Sequence, residues 1–207
     1  MKFFHLPNVG FLEEKLSKES IKKLNKYIKD SHKKVNYDLA GNISKSNELI
    51  DKDNWFFNND LSKFINAYIK IFGDEAIPNV LNKNCHYYLY KFWVNFQKKY
   101  EFNPMHNHSG IFSFVIWMKI PASYKKEKEL PFVKECNNPS TNTFSFVFTN
   151  SLGKACHYNY NLEPSDEGKI LFFPAALSHI VYPYYTSNKE RVSISGNINF
   201  DVERISK

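Results

Sequence analysis

The sequence predicts a mainly β protein of the α+β class, an antiparallel sandwich or barrel with helices packed on one sheet. Three observations support this fold class. Two amphipathic helical patterns lie in the first third of the chain, and about seven or eight short segments rich in aromatic and β-branched residues follow Pro78. Turn-forming clusters separate those segments, as expected for strands joined in antiparallel order.

The composition is that of a globular domain with a large core. Of the 207 residues, 43% are hydrophobic and 17% aromatic, and the few glycines (7) and prolines (9) exclude a linker-dominated chain. We therefore expect one domain over 1–207, with a helical N-terminal support at 1–80 and a β core at 81–202. The net charge of +7 would suit an anionic partner, but the lysines are spread as on an ordinary solvated surface.

Cysteine usage and hydropathy indicate a cytoplasmic protein. The three cysteines (Cys85, Cys136 and Cys156) are widely spaced and form no C-x-x-C motif, which favours reduced thiols over a disulfide framework. The start of the chain lacks the long apolar stretch of a signal peptide, and no window approaches the roughly 18 apolar residues of a membrane span. No recognition motif accompanies the lysines and aromatics, which argues against a nucleic-acid partner.

The first helix is predicted over 12–34, where apolar residues recur mostly at intervals of three, four or five positions and lysines lie between them. Ser17 and Ser20 are its candidate N-caps, because a serine hydroxyl can accept a hydrogen bond from a free N–H group of the first turn. The segment that follows, 35–55, is polar and irregular.

A second helix fits 60–73, where apolar residues line one face. Asp60 is its candidate N-cap, and Gly73 is the candidate residue that stops it. Further along, the charged segment 122–130 is expected to be a surface loop.

The first long strand is predicted at 85–98, with alternate side chains on opposite faces. Should this strand line a cavity, the odd-numbered face would supply the lining residues Lys91, Trp93, Asn95 and Gln97. Further strands are expected at 111–119, 143–149, 155–160, 169–173, 179–183 and 191–200.

Residues 104–110, Pro-Met-His-Asn-His-Ser-Gly, carry the pattern most suggestive of chemistry. His106 and His108 are two positions apart, and side chains at i and i+2 of a strand point to the same side. Both imidazoles would then face one cavity. His179 follows near a later strand end, and we interpret the three histidines as surrounding a metal. An H-x-H pair alone is a weak to moderate signal, because such pairs also arise by chance.

Arg191 and Ser193 lie on one face of the last predicted strand. Imidazoles suit Fe, Zn, Cu and Ni, and three protein ligands leave open positions on the metal for a substrate. A keto acid that chelates the metal would need a cation for its distal carboxylate. Arg191 could bind that carboxylate bidentately, with the Ser193 hydroxyl beside it. The alternative is that Arg191 forms a surface ion pair. Its apolar neighbours argue against that alternative, because they indicate a core strand.

These motifs resemble those of the 2-oxoglutarate- and Fe(II)-dependent oxygenases, in the prolyl 4-hydroxylase-like branch and especially the small oxygenases of marine bacteria and phages. The resemblance covers about 85–200. The residues that carry it are Asn103-Pro-Met-His-Asn-His-Ser-Gly, Gly168-Lys-Ile-Leu-Phe-Phe-Pro, Ser178-His-Ile-Val-Tyr-Pro and Arg191-Val-Ser-Ile-Ser-Gly-Asn-Ile. It implies a double-stranded β-helix (jelly roll) as the catalytic core, with helices packed on one sheet.

By this resemblance His106 and His179 are Fe(II) ligands, and Arg191 with Ser193 binds the C5 carboxylate of 2-oxoglutarate. The usual first motif of the family is H-x-D or H-x-E, whereas this sequence has His108 at the third position. Either His108 is a ligand, or a carboxylate comes from elsewhere, or the site is altered or inactive. We favour His108, because its side-chain direction matches that of the missing residue.

Three further residues are candidates for lining the catalytic site. They are Trp93 and Asn95, which share one face of the predicted strand 85–98, and Tyr88. Tyr88 is the weakest of them, because strict alternation places it on the opposite face.

The implied reaction couples decarboxylation of 2-oxoglutarate to succinate with O₂-dependent hydroxylation of a C–H bond. The substrate would be a peptide, for instance at proline, or a small molecule, and ascorbate would be an addition in vitro. Two alternatives stay open: a cupin-like metal dioxygenase or isomerase that uses no keto acid, and a non-enzymatic jelly-roll binding module. A phage-encoded member would act in the host cytoplasm, and a homodimer is compatible with the sequence.

Overall fold

The computed structural model describes residue 2 and residues 8–73 and 85–201. The expected boundary between helical support and β core, at residues 80 and 81, lies outside the described residues. Four α-helices are found in the described part: α1 (Lys18–Lys29), α2 (Ser62–Phe72), α3 (Tyr124–Glu127) and α4 (Pro131–Lys134). None of its helices is long and apolar enough to cross a membrane.

The strands of the described part form two antiparallel sheets. They are β1 (Leu12–Lys15), β2 (Ser46–Glu48), β3 (His86–Gln97), β4 (Asn103–His106), β5 (Phe112–Lys119), β6 (Thr143–Thr149), β7 (Ala155–Asn161), β8 (Lys169–Pro174), β9 (Ser178–Val181) and β10 (Arg191–Asp201). The larger sheet has the order β1-β8-β5-β10-β3-β2, and the smaller has the order β4-β9-β6-β7.

The larger sheet separates two hydrophobic clusters. On one face, α1 and α2 pack against alternate residues of the central strands, as where Phe64 of α2 stacks on Phe172 at 5.6 Å between ring centroids. On the other face, Trp117 and its neighbours pack against the smaller sheet through Phe144. This arrangement confirms the predicted fold class, with helices on one sheet and a sandwich consistent with the double-stranded β-helix.

The N-terminal helical pattern divides into a strand and a helix. Leu12 begins β1, which pairs with β8 through Phe172, so the prediction of a helix from residue 12 was wrong. The helix begins after Ser17, whose hydroxyl accepts a hydrogen bond from the backbone N–H of Ser20, as predicted for an N-cap. Gly73 ends α2 with φ of +75°, also as predicted.

Asp60 does not cap α2, contrary to the prediction. It lies in a π-helical turn (Phe57–Leu61) that precedes the helix, where its buried carboxylate accepts a hydrogen bond from the Ser20 hydroxyl at 3.0 Å. The carboxylate of Asp51 instead accepts hydrogen bonds from two consecutive backbone N–H groups at the start of this helical segment. The capping rules identified the right residue type, aspartate, but the π-helical turn before α2 moves the start of the helical segment towards the N-terminus.

A β-bulge in β3 changes which of its side chains face the smaller sheet. Lys91 pairs with Asn197 of β10, but the next pair joins Leu89 to Ile198, so one extra residue lies between them. The predicted strict alternation is therefore wrong beyond the bulge. Tyr88 comes to lie on the same face as Lys91, although its position near the strand end leaves it 38% exposed.

The segment 122–130, expected to be a charged surface loop, contains a fully buried carboxylate. Glu127 accepts hydrogen bonds from the Thr141 hydroxyl, from the backbone N–H of Tyr185, and from both the N–H and hydroxyl of Thr186. These bonds tie α3 to the connection that leads into β10. The expectation was wrong because the charged composition of a segment does not show that one of its carboxylates is buried and hydrogen-bonded inside the protein.

Replacement of Gly196 by alanine is expected to destabilise the fold. An added Cβ would lie 2.6 Å from the ring of Phe114 and 2.8 Å from the backbone oxygen of Lys91, so β10 or its neighbours must shift. Overpacking of this kind costs about 1–3 kcal/mol. Urea unfolding of Gly196→Ala should show that loss, with the exposed Ser151→Ala as control; equal stability of the two variants would contradict the packing argument.

Replacement of Glu127 by glutamine should also lower the free energy of unfolding. The glutamine side chain nearly matches glutamate in size, but its NH₂ group would face N–H donors and leave some of them unpaired. Since a hydrogen bond to a charged group contributes about 1.5–3 kcal/mol, we expect a loss of about 2 kcal/mol. Glu129→Gln, at an exposed carboxylate, is the matched control in the same urea measurement.

Candidate metal centre and ligand cavity

Three histidine rings converge at one end of the sandwich. His106 ends β4 and pairs directly with His179 of β9, so their side chains lie side by side with ring centroids 4.3 Å apart. The ring of His108 lies 4.9 Å from His106 and 5.1 Å from His179. The candidate ligand atoms of all three lie within 4.8 Å of one another. The structure thus brings together the three histidines that the sequence singled out.

His108 reaches this cluster by a route other than strand alternation. It follows the end of β4, and its backbone N–H donates to the carbonyl of Ala175 at 2.9 Å. Gly110, with φ of +106°, then turns the chain into β5, at a point where a Cβ would lie 2.7 Å from the backbone oxygen of Ile198. The shared direction of the two imidazoles was predicted, but a turn and not a continuous strand produces it.

Backbone carbonyls orient two of the rings. The Nδ1 atom of His106 lies 2.7 Å from the oxygen of Pro104, and the Nδ1 atom of His179 lies 3.0 Å from that of Leu177. A carbonyl only accepts, so we infer that each Nδ1 carries the proton of a neutral ring. The Nε2 lone pair is then free to bind a metal, as in many histidine metal sites.

Burial keeps these imidazoles neutral. Loss of solvation, followed by the charges of neighbouring groups, lowers the pKa of His108 and of His179 to about 3. Burial also lowers the pKa of His106, although its bond to a backbone carbonyl opposes the shift. Metal ligation requires the neutral imidazole. The described residues therefore present three nitrogen ligands in the form that a metal needs.

The cluster contains no carboxylate among the described residues. Asp38 lines a cleft that touches His106 and His108, but its carboxylate is not part of the ligand group. Three imidazoles suit Fe, Zn, Cu or Ni, so the residues present fit a divalent transition metal. The facial triad typical of Fe(II) oxygenases would instead have two histidines and one carboxylate.

A narrow cavity leads from the histidines into the sandwich, between the two sheets. Its volume of about 30 Å³ has room for roughly two water-sized groups. Trp93 and Asn95 line it, whereas Tyr88 does not. Polar side chains of β10 also line it, namely Arg191, Ser193 and Ser195.

Arg191 is fully buried and bound by neutral groups. Its Nε and Nη2 atoms donate to the side-chain oxygen of Gln97 at 3.1 and 2.8 Å, Nη2 also donates to the carbonyl of Tyr182, and Nη1 donates to Asn142 Oδ1 at 3.0 Å. Burial lowers its pKa to about 10, which leaves it cationic at neutral pH. Since a guanidinium has five N–H groups, one N–H of Nη1 is left without a partner among the described residues.

This count corrects the expected mode of carboxylate binding. A bidentate pair needs two parallel N–H groups, whereas the structure leaves a single one on Arg191. A carboxylate in the cavity would need further donors, and Ser193 and Ser195 lie along the same strand face. The surface ion pair considered as an alternative for Arg191 is excluded by its burial.

Several residues of the site escaped the sequence analysis. Asn142, which holds Arg191, precedes β6 in a left-handed conformation (φ of +45°) and gave no local signal. Asn103 lines the cavity with a buried Oδ1 that has no hydrogen-bond partner in the described part of the chain. Ser195 could have been found, because it lies two positions beyond Ser193 on the same strand face.

Comparison with known proteins gives a family and a set of similar folds. The model of the family described as "Putative 2OG-Fe(II) oxygenase" matches residues 91–197, just over half of the chain. No curated protein matches the sequence. A 2OG-Fe(II) oxygenase family oxidoreductase from Burkholderia pseudomallei has a similar structure, with a TM-score of 0.56 and 13% identity over 92% of this chain and 84% of that chain.

Two further solved structures are similar in fold. The α-ketoglutarate-dependent carbocyclase SnoK from nogalamycin biosynthesis has a TM-score of 0.55 and 8% identity, over 93% of this chain and 80% of its own. A prolyl-4-hydroxylase from Pseudomonas putida has a TM-score of 0.48 and 13% identity, over 91% of both chains. At 8% identity, the similarity to SnoK supports the fold alone. The family match, together with the histidine cluster inside its range and the sandwich fold, shows that this chain belongs to the 2OG-Fe(II) oxygenase family.

Proposed function

We propose that this chain is an active 2-oxoglutarate-dependent dioxygenase with hydroxylase activity. Fe(II) would be bound by His106, His108 and His179, and the C5 carboxylate of 2-oxoglutarate by Arg191 and Ser193. The observation that carries this proposal is the burial of Arg191 without any carboxylate partner in the described residues, on the wall of the same cavity as three neutral histidines. A buried cation without an anion is costly, and an anionic co-substrate would offset that cost.

Each part of the cavity has a role in this proposal. Bound Fe(II) would supply the activation of O₂ that couples oxidation of 2-oxoglutarate to hydroxylation of a C–H bond. The carbonyls of Pro104 and Leu177 hold two imidazoles in the ligating orientation. Gln97 and Asn142 hold the guanidinium in place, so that its remaining N–H is preorganised for a carboxylate.

Aromatic side chains exclude water from the same region. Phe144 stacks on the ring of His179 at 5.1 Å, Phe173 meets that ring edge-on, and Trp93 meets the ring of His108 at 5.6 Å. These walls lower the local dielectric and strengthen the interaction of Arg191 with an anion. The substrate in this proposal is a peptide or a small molecule, with ascorbate as a reductant added in vitro.

The alternatives make different demands on the same residues. A cupin-like enzyme without a keto acid would use the histidines but would leave the unpaired cation unexplained. A binding module without catalysis would explain neither the neutral ligand cluster nor the buried cation. Anaerobic Fe(II) titration distinguishes them, because only the proposed enzyme should develop a metal-to-ligand absorption band when 2-oxoglutarate is added, and it alone should release succinate.

The metal assignment predicts the effect of removing single histidines. His106→Ala and His179→Ala should weaken Co(II) binding by on the order of 100-fold or more, because each change removes a ligand, and changes to groups that merely support ligands already cost about 10–100-fold. His32→Ala, at an exposed histidine of the described chain, should bind Co(II) normally. Titration of the visible Co(II) spectrum measures all three, and normal binding by either site variant would contradict the assignment.

The carboxylate assignment predicts a loss of co-substrate affinity without loss of metal. Arg191→Ala should weaken 2-oxoglutarate binding to the Co(II) protein by roughly 10- to 100-fold, since a charge-assisted hydrogen bond is lost. Isothermal titration measures this effect, and the exposed Lys189→Ala is the control for charge.

Because Arg191 is buried, its variant could fold poorly, so circular dichroism must accompany the titration. Ser193→Ala provides a second test that keeps the arginine network intact and should weaken binding several-fold. Unchanged 2-oxoglutarate affinity in both folded variants would overturn the assignment of this end of the cavity.

A further inference from the structure

A separate groove leads outward from the same histidines. A cleft of about 180 Å³ contacts His106 and His108 on the outside of the molecule, and a second cleft of about 390 Å³ lies beside it. The two share four lining residues: Asp38, Leu39, Lys91 and Trp93. We call these two clefts together the outer groove. It adjoins the narrow cavity at Trp93, His106 and His108, but Arg191 lines the narrow cavity alone.

Two opposite charges in the outer groove have no ion-pair partner within the described residues. They are the ammonium group of Lys91, on β3, and the carboxylate of Asp38, on the segment before β2. The other carboxylates that line the groove are engaged. Glu48 pairs with Lys33 at 2.8 Å, and Asp51 accepts hydrogen bonds from backbone N–H groups and the Tyr27 hydroxyl.

The backbone fixes the positions of both charged residues. Lys91 adjoins the bulge in β3, where it pairs with Asn197 and lines the groove with Trp93 and the histidines. The segment that carries Asp38 is closed by Asn36, whose amide donates to the oxygen of Ile43 at 2.7 Å and whose Oδ1 accepts from the N–H of Ser46 at 3.0 Å. A cation and an anion are therefore presented to one groove from two different elements.

Apolar side chains form part of the surface beside the two charges, together with polar residues such as Asn107 and Asn197. Trp93 is 5% exposed and lines both clefts, and Leu39 lies beside it in both. Leu49 extends this apolar surface into the larger cleft. A ligand that complements the groove would carry an anion, a cation and an apolar part close together, which are the features of a free α-amino acid.

We propose that the outer groove binds the primary substrate as a free α-amino acid with an apolar side chain. Asp38 would bind its ammonium group and Lys91 its carboxylate, with the side chain directed towards His106 and His108. The interior of a peptide carries neither charge and would not satisfy this pair. The inference rests on the proposed function for its chemistry. In that reaction R–H, O₂ and 2-oxoglutarate give R–OH, succinate and CO₂, and one atom of O₂ enters R–OH while the other enters succinate.

Binding can be measured on the full chain without metal, because protein groups alone form the groove. Saturation-transfer NMR would compare a pool of free apolar L-amino acids with the same compounds N-acetylated or converted to amides. We expect transfer to at least one free amino acid and its loss in both blocked forms. No transfer from the free pool, or equal transfer to the blocked compounds, would overturn the proposal.

Two pairs of variants test the assigned contacts. Lys91→Gln and Asp38→Asn should each weaken binding of the amino acid found in the pool by roughly tenfold. The controls Lys45→Gln and Asp53→Asn make the same charge changes at exposed residues outside the groove and should not. Normal amino-acid affinity in both groove variants would overturn the assignment.

The result is separable from that of the proposed function. 2-Oxoglutarate binding to the Co(II) protein should be unchanged in Lys91→Gln and Asp38→Asn, since neither residue lines the narrow cavity. If 2-oxoglutarate fails to bind the unmodified chain while amino acids bind as expected, the oxygenase proposal fails and the groove assignment stands. The reverse result retains the oxygenase proposal and rejects the amino acid as its substrate.

Discussion

The buried charge of Arg191 is the constraint on which the rest of the site depends. Transfer of a guanidinium from water into the sandwich is unfavourable unless its N–H groups are bound. Gln97, Asn142 and the Tyr182 carbonyl bind four of them, and these partners come from three different parts of the chain. None is charged, so the described residues bind four of the five N–H groups of the cation but supply no contacting anion. Glu127 interacts with Arg191 only at longer range, and its carboxylate binds the connection that leads into β10.

The two sheets bring the histidines and this cation to the walls of one cavity. The direct pairing of His106 with His179 belongs to the smaller sheet, whereas Arg191 and Ser193 belong to β10 in the centre of the larger one. A shift of two residues in either register would keep side chains on the same face but change their separation along the strand by about 7 Å. Packing between the sheets therefore sets the distance between metal ligands and cation, and with it the length of ligand that can join them.

Sequence patterns identified the chemistry of the site better than its supporting contacts. Histidine and arginine are informative because an imidazole can ligate a metal and a guanidinium can bind a carboxylate, and their spacing carries meaning on its own. Asn142 and Glu127 were missed because their importance arises from donors and acceptors far away in sequence, which no local pattern records. The bulge in β3 was missed for a related reason, because its extra residue is defined only by the pairing with β10. The strict alternation that predicted the face of Tyr88 therefore holds only on the side of the bulge that contains Lys91.

The replacement of a carboxylate by His108 changes the electrostatics of the proposed site. A carboxylate ligand would cancel one positive charge of Fe(II), whereas an imidazole cancels none. Together with Arg191, the cavity would contain three positive charges in a region where aromatic walls reduce screening. A co-substrate with two carboxylates compensates two of them, while a neutral ligand compensates none. The unusual third histidine thus strengthens the electrostatic argument for a dianionic keto acid, and it makes the affinity for that anion more dependent on the metal than in a site with a carboxylate ligand.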